Sequence, residues 1–306
     1  MNPLPECADG GAGRRAYNTT ARVETTMHTP TVVAHRGFAG VAPENTVAAL
    51  TSATADAAMV ELDVRPAADG TPVVFHDDRL EGDEPRDGRP LTDARGLVHE
   101  TPLETVTGAE VLASGETVPT LERVFDALPA SAGVNVELKS CGRDDLRFGE
   151  ALEASERAPR REVWTPFVER VVEMCDGFRG EVLCSSFYEG ALAALREVAP
   201  EYAAGVLVWD ALEDGLEVAR RYDCEAVHPP RTAIAGTPLA SAHESYYGLP
   251  TEEPSVDLLA RAHEEGRAVN VWTVETWSQF DQLRAAGVDA IIAEYPGLER
   301  PAWREH

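Results

Sequence analysis

Glu61 and Asp63 stand two residues apart in the run Val60 to Arg65, and His76 follows across an Asp69-Gly70 turn. Strand side chains alternate, so the two acids share one face while Leu62 and Val64 point the other way into packing. The turn folds Pro72 to Asp77 back antiparallel and, centred on Asp69 and Gly70, sets His76 roughly opposite Asp63. A half-exposed edge strand would leave both acids in water. A buried strand needs a cation or basic groups beside them, because an uncompensated buried carboxylate is costly.

The same pairing of types recurs at Glu137 and Lys139 in the run Gly133 to Lys139, and a further imidazole stands at His35 beside Arg36. Three carboxylates, Glu61, Asp63 and Glu137, with no cysteine make an oxygen site for one hard divalent cation, Mg2+ or Ca2+. His35 and His76 can exchange protons near neutral pH. Arg36 and Lys139 place positive charge where an anionic phosphate would sit. Acid, base, cation and phosphate-binding charge together describe phosphodiester cleavage. Taken singly, Glu137 and Lys139 would be a plain ion pair. Yet Lys139 is the one lysine in a chain whose other basic residues are arginines, which marks a place where a compact ammonium is needed.

These residues need elements to hold them at one place. Thr31 to Ala34 reads as a strand ending at His35-Arg36-Gly37, and Pro43 to Thr46 as the start of a helix that runs on through alanines. Further strands are expected at Glu181–Ser185, Tyr202–Val208, Ala226–His228, Ala268–Val274 and Asp289–Ala293. Helices lie between most of them: Leu121–Leu128, one from about Pro166 to Phe178, Glu189–Val198, Leu212–Arg221, Val256–Glu265 and Ser278–Ala286. Counting residues 72–76 as the return arm of a hairpin leaves eight βα units, the number of a closed TIM (β/α)8 barrel. Strand ends then gather His35, Arg36, Glu61, Asp63, Glu137, Lys139, Ser185, Ser186 and Trp272 at one mouth, with His76 on the returning arm. Residues 78–115 read as a long excursion over that rim, with a weak strand-like piece near Gly96 to Val98. Residues 140–160 read as polar loop.

The chain has 306 residues and a formal net charge of −26, from 53 acidic and 27 basic residues. Such a surface excludes nucleic acid and anionic membranes as partners, both of which require a positive footprint. Surface acids with almost no lysine match adaptation to molar salt, where self-repulsion is screened. A salt-rich cytoplasm is the expected location. The five cysteines are scattered with no C-x-x-C pair, so no disulfide framework or zinc site is expected. No apolar run is long enough to insert stably in a bilayer. Residues 1–30 read as a disordered leader before a single domain at 31–306, and Met27 is an alternative start.

At these residues the chain resembles the glycerophosphodiester phosphodiesterase family, within the phospholipase-C-like phosphodiesterases. The resemblance rests on His-Arg-Gly at 35–37, Pro-Glu-Asn-Thr at 43–46, Glu-Leu-Asp at 61–63, and Asp-Gly with Val-Val-Phe-His-Asp at 69–77. It continues through Val-Pro-Thr-Leu at 118–121, Glu-Leu-Lys at 137–139, Ser-Ser-Phe at 185–187, Val-Trp-Thr-Val at 271–274 and Gly-Val-Asp-Ala-Ile-Ile at 287–292. It implies a TIM barrel, metal ligands at Glu61, Asp63 and Glu137, and an acid/base pair at His35 and His76. It also implies phosphate contacts from Arg36 and Lys139, supporting positions at Glu44 and Asn45, and a pocket-bordering aromatic at Trp272. The implied reaction releases glycerol phosphate and an alcohol from a small-molecule glycerophosphodiester. Two departures stand out, Glu275 after the Trp-Thr-Val segment and Glu294 before Tyr295-Pro296. Both are expected at the rim, away from the metal. Lipid cleavage of phospholipase C or D type would want an apolar or basic rim. A catalytically silent phosphodiester-binding protein would have lost a histidine or a metal carboxylate, and all five are present.

Overall fold

The computed structural model describes residues 29–86, 88–140, 148–240 and 254–299. Most of the expected leader, with Cys7, Cys141, His28, His243 and His306, lies outside the described residues.

Among the described residues, nine strands form one sheet: β1 (Thr31–Ala34), β2 (Met59–Pro66), β3 (Pro72–Val74), β4 (Gly133–Leu138), β5 (Val182–Ser186), β6 (Ala203–Leu207), β7 (Ala226–His228), β8 (Ala268–Val274) and β9 (Ala290–Ala293). Eight of them are parallel and run β1-β2-β4-β5-β6-β7-β8-β9, and β1 closes the ring by pairing with both β9 and β2. The ninth, β3, is the antiparallel return arm. It pairs with the upper end of β2, beyond the point where the short β1 stops at Ala34.

The helices are α1 (Val47–Ala53), α2 (Leu103–Gly108), α3 (Leu121–Ala127), α4 (Ala154–Gly177), α5 (Glu189–Val198), α6 (Leu212–Arg221), α7 (Leu258–Glu264) and α8 (Trp277–Ala286). All but α2 pack outside the barrel. Val60, Leu62, Val64, Val134, Val136 and Leu138 of the strands form one buried cluster with Leu50, Leu121, Trp164, Leu192 and Leu216 of the helices. The alternate strand positions Val33, Met59, Leu183, Ala203, Ala290 and Ile292 form a second cluster that fills the inside. Period-2 alternation around a closed sheet separates these two cores.

Three local expectations are corrected. Helix α4 begins at Ala154 and carries both Pro159 and Pro166 within it. Each internal proline costs about 3 kcal/mol. However, Trp164, Phe167, Val168, Val171, Val172 and Cys175 lie on one buried stripe that starts before Pro166. Burying each large apolar side chain stabilises by about 1.5–3 kcal/mol, which outweighs the lost bonds. A capping box between Glu153 and Glu156 then sets the start.

The hairpin turn is one residue longer than expected. The Ala67 N–H meets the Thr71 carbonyl, the Gly70 N–H meets Ala67, and Gly70 takes φ +81°. That three-residue loop with a left-handed glycine shifts the register, so Asp63 faces Phe75 and not His76.

The excursion is also more than a rim loop. Leu80, Leu91, Val98, Val106, Val111 and Val118 close a small core of their own with Val73 and Phe75. The expected strand-like piece is a single bridge at Leu97 followed by a 3-10 turn, and helix α2 comes after it.

Candidate active site

The turn after β1 brings the first two site residues to the mouth. Arg36 and Phe38 adopt left-handed backbone angles (φ 50° and 65°), so the chain doubles back over the rim at once. Gly37 between them has φ +79°, and a Cβ there would stand 2.7 Å from the Ala49 backbone of α1. The His35 ring sits with Nδ1 2.6 Å from Glu294 Oε2. The Arg36 backbone N–H donates to Glu61 Oε2 at 2.9 Å, and its guanidinium donates to Glu44 Oε1 at 2.9 Å. Its Nε lies 3.3 Å from Asp63 Oδ2. Thr46 caps α1, through a bond from the Ala49 N–H. Asn45 is left free to donate from Nδ2 to Asp63 Oδ2 at 2.8 Å.

β2 and β4 supply the carboxylates. Their parallel register sets Glu61 beside Asn135 and Asp63 beside Glu137. Glu61, Asp63 and Glu137 are all buried, with oxygens within 4.8 Å of one another. Lys139 Nζ donates to Glu137 Oε1 at 2.8 Å and lies 3.3 Å from Asp63 Oδ1. Burial first, and then the Asp63 charge, push the Glu61 carboxyl up to about 8. Burial also acts on Asp63, but Lys139, His76, Arg36 and the Asn45 bond overcome it and hold that group well below the usual range. Glu137 is raised, chiefly by burial, against the opposing pull of Lys139. One ammonium and one guanidinium are therefore not enough for three buried acids.

The donors fit a hard divalent cation. All three are oxygens, and two further buried oxygens without partners, Asn135 Oδ1 and Ser185 Oγ, lie in register beside Glu61 and Glu137.

β3 delivers the second imidazole. His76 Nδ1 lies 2.6 Å from Asp77 Oδ1, and the His76 carbonyl accepts from Arg65 Nε at 2.7 Å. Asp77 is buried and is also held by Arg86 of the excursion, at 3.1 Å and 3.3 Å from Nη2. Burial, with the charges of Arg36 and Lys139, lowers the His76 imidazole to about 4. His35 moves the other way: burial and Arg36 depress it, but the Glu294 and Glu61 carboxylates more than offset them.

A cavity of 670 Å³ opens over these groups. The sequence-identified residues line it, except Asn45, Asp63, Ser185 and Ser186, which are buried. Metal-type carboxylates and both histidines occupy the half built by β1, β2, β3 and β4. The opposite half is aromatic: Phe187, Trp209 and Trp272 contact one another with ring centres 5.5–6.1 Å apart. Phe148 stacks on Phe187 at 4.5 Å. Trp272 is fixed by its Nε1 bond to the His228 carbonyl at 2.7 Å. Of the two serines, Ser186 bonds the Leu138 carbonyl at 2.8 Å and braces the neighbouring strand.

Sequence reasoning missed Asp77, Arg86 and Glu294 as working partners. Asp77 adjoins His76 and Glu294 ends a barrel strand, so both carried a positional signal. Arg86 carried none. Glu294 is at the rim as expected, but it directly contacts His35. Glu275 also lines the cavity and lies 3.3 Å from Arg231.

Comparison with known proteins places this geometry among relatives. A model of the glycerophosphoryl diester phosphodiesterase family matches residues 35–298. A glycerophosphodiester phosphodiesterase of Bacillus altitudinis is 27% identical over 276 residues, covering 87% of this chain and 94% of that protein. One from Caldanaerobacter subterraneus is 26% identical over 273 residues, with the same coverages of 87% and 94%. Among solved structures, an Oleispira antarctica phosphodiesterase in complex with the product sn-glycerol-3-phosphate superposes with a TM-score of 0.67 at 27% identity. It covers 88% of this chain and 94% of that one.

Proposed function

The chain belongs to the glycerophosphoryl diester phosphodiesterase family, and on that premise we propose that it hydrolyses glycerophosphodiesters to a glycerol phosphate and an alcohol. The observation that carries this reading is one cavity holding three mutually close carboxylates, two carboxylate-backed histidines and two phosphate-suited cations. In this reading Glu61, Asp63 and Glu137 hold one divalent cation, Mg2+ or Ca2+. When bound, that cation supplies charge neutralisation at the phosphate oxygens.

Arg36 and Lys139 face the same anion and stabilise the charge that builds on it. Glu44 and Asn45 hold Arg36 and Asp63 in place. His35 and His76 each turn Nδ1 to a carboxylate, which leaves Nε2 for the substrate. One imidazole takes the proton of the attacking oxygen, from water or from the substrate's own neighbouring hydroxyl, and the other returns one to the leaving alkoxide. On the second route water then opens the cyclic phosphate to the glycerol phosphate. Glu294 favours a protonated His35, and the cations around His76 favour a neutral ring, so His35 is assigned as acid and His76 as base. Trp272 walls the side where an arm of the diester rests. Residues 31–306 act in this reading as a single domain. No helix among the described residues is long and apolar enough to cross a membrane.

The test is release of glycerol phosphate from glycerophosphocholine and glycerophosphoglycerol, in molar KCl, with Mg2+, Ca2+ or chelator. Release that chelator abolishes and one cation restores is expected. A folded protein that releases nothing with either cation would overturn the reading and favour a binding protein.

A further inference from the structure

Arg86 ties the two halves of the catalytic apparatus together, and we propose that it is a positioning residue for turnover. The inference rests on the phosphodiesterase reading above. Arg86 belongs to the excursion, where it exchanges backbone hydrogen bonds with Arg89 at 2.8 Å and 3.0 Å. Its side chain turns inward to the cavity. There Nε lies 3.2 Å from Glu44 Oε2, while Nη2 reaches both Asp77 oxygens.

Each of those carboxylates aims a different working group. Glu44 uses its other oxygen to hold the Arg36 guanidinium, and Asp77 holds the His76 ring. One planar fork thus fixes a phosphate-binding cation on the β1–α1 connection relative to an imidazole at the end of β3. Those two elements share no direct side-chain bond between Arg36 and His76 among the described contacts. The fork is itself anchored: the excursion core buries Leu80 and Leu91 completely, and Asp77 Oδ2 also accepts the Asp83 N–H at 2.8 Å.

Geometry, more than charge, is what this position requires. A guanidinium presents donors in two directions and spans two carboxylates, whereas an ammonium is a single point. Without the fork, Glu44 is free to turn both oxygens onto Arg36 and compete with the phosphate. Asp77 loses one of the contacts that keep it aimed at His76. The excursion then serves as the part of the molecule that sets the angle between two catalytic groups.

The experiment compares R86A and R86K with the wild type in the full chain. It reads glycerophosphocholine turnover at saturating cation, cation affinity by calorimetry, and the downfield Nδ1–H proton of His76 by NMR. In R86A, kcat is expected to fall about tenfold to hundredfold, the scale of a catalytic group slightly misplaced. R86K is expected to recover only a small part of the loss. The His76 resonance shifts or broadens in both variants, and cation affinity is unchanged. Wild-type kcat in R86A, full recovery in R86K, or a parallel loss of cation affinity would each overturn the inference. If R86A does not fold, R86K carries the same comparison. If the wild type cleaves no diester, the functional reading fails, and an unchanged His76 resonance in the variants separately refutes the positioning role.

Discussion

At the scale of single residues, the site works by giving each charged group a specific partner. His35 and His76 share a residue type and a carboxylate on Nδ1, yet their surroundings drive them apart. Burial opposes the charged form of both; His35 has Glu294 and Glu61 to counter it, while Arg36 and Lys139 press on His76. Replacing either His35 or His76 by Ala is expected to lower kcat by about 10²–10⁴-fold, the range of a positioned acid or base. Thermal melting should stay near that of the wild type, because both rings sit at the mouth and not in either packed core. A variant of either that retained most of its turnover would remove that histidine from the mechanism. That these groups would gather at one place was legible in the sequence, since strand alternation puts Glu61 with Asp63 and Glu137 with Lys139. The contacts of Glu294 and Arg86 were not, because each joins segments far apart in the chain, while Asp77 carried only the signal of standing next to His76.

At the scale of elements, the β1–α1 connection is the tightest constraint on the site. It must reverse within three residues so that His35 faces Glu294 while the Arg36 N–H reaches Glu61. Gly37 makes this possible by its positive φ and by leaving room for the α1 backbone. Gly37→Ala forces a Cβ against Ala49 in a conformation that alanine avoids, so a loss of roughly 3 kcal/mol or more is expected. Urea unfolding would check it, and a midpoint equal to the wild type would show that the turn relaxes freely. The same scale shows where pattern reading fails. β1, β7 and β8 were legible to the residue because parallel barrel strands are short apolar runs. The start of α4 was not, because the packing of Trp164 and Phe167 against the barrel overrides what Pro166 signals locally. The excursion looked like loop because its core residues Leu80, Leu91 and Val106 are too far apart to show a period.

At the scale of the whole molecule, the balance of charge is the dominant feature. With 53 acidic and 27 basic residues, the folded chain compresses its own repulsion, and added salt screens it. The melting temperature is therefore expected to rise steadily from 0.1 M to 2 M KCl; a flat or falling curve would refute the adaptation to salt. Strand alternation and motif order by themselves determined the barrel and which charged residues gather at its mouth. These depend on local periodicity and residue type, which are written along the chain. Only the tertiary structure decided the register of the β2–β3 hairpin, the contact of Glu294 with His35 and the guanidinium of Arg86 that links Asp77 to Glu44. Those depend on where distant segments meet once the barrel closes, and one added turn residue or one packed helix stripe changes that with no mark in the local pattern.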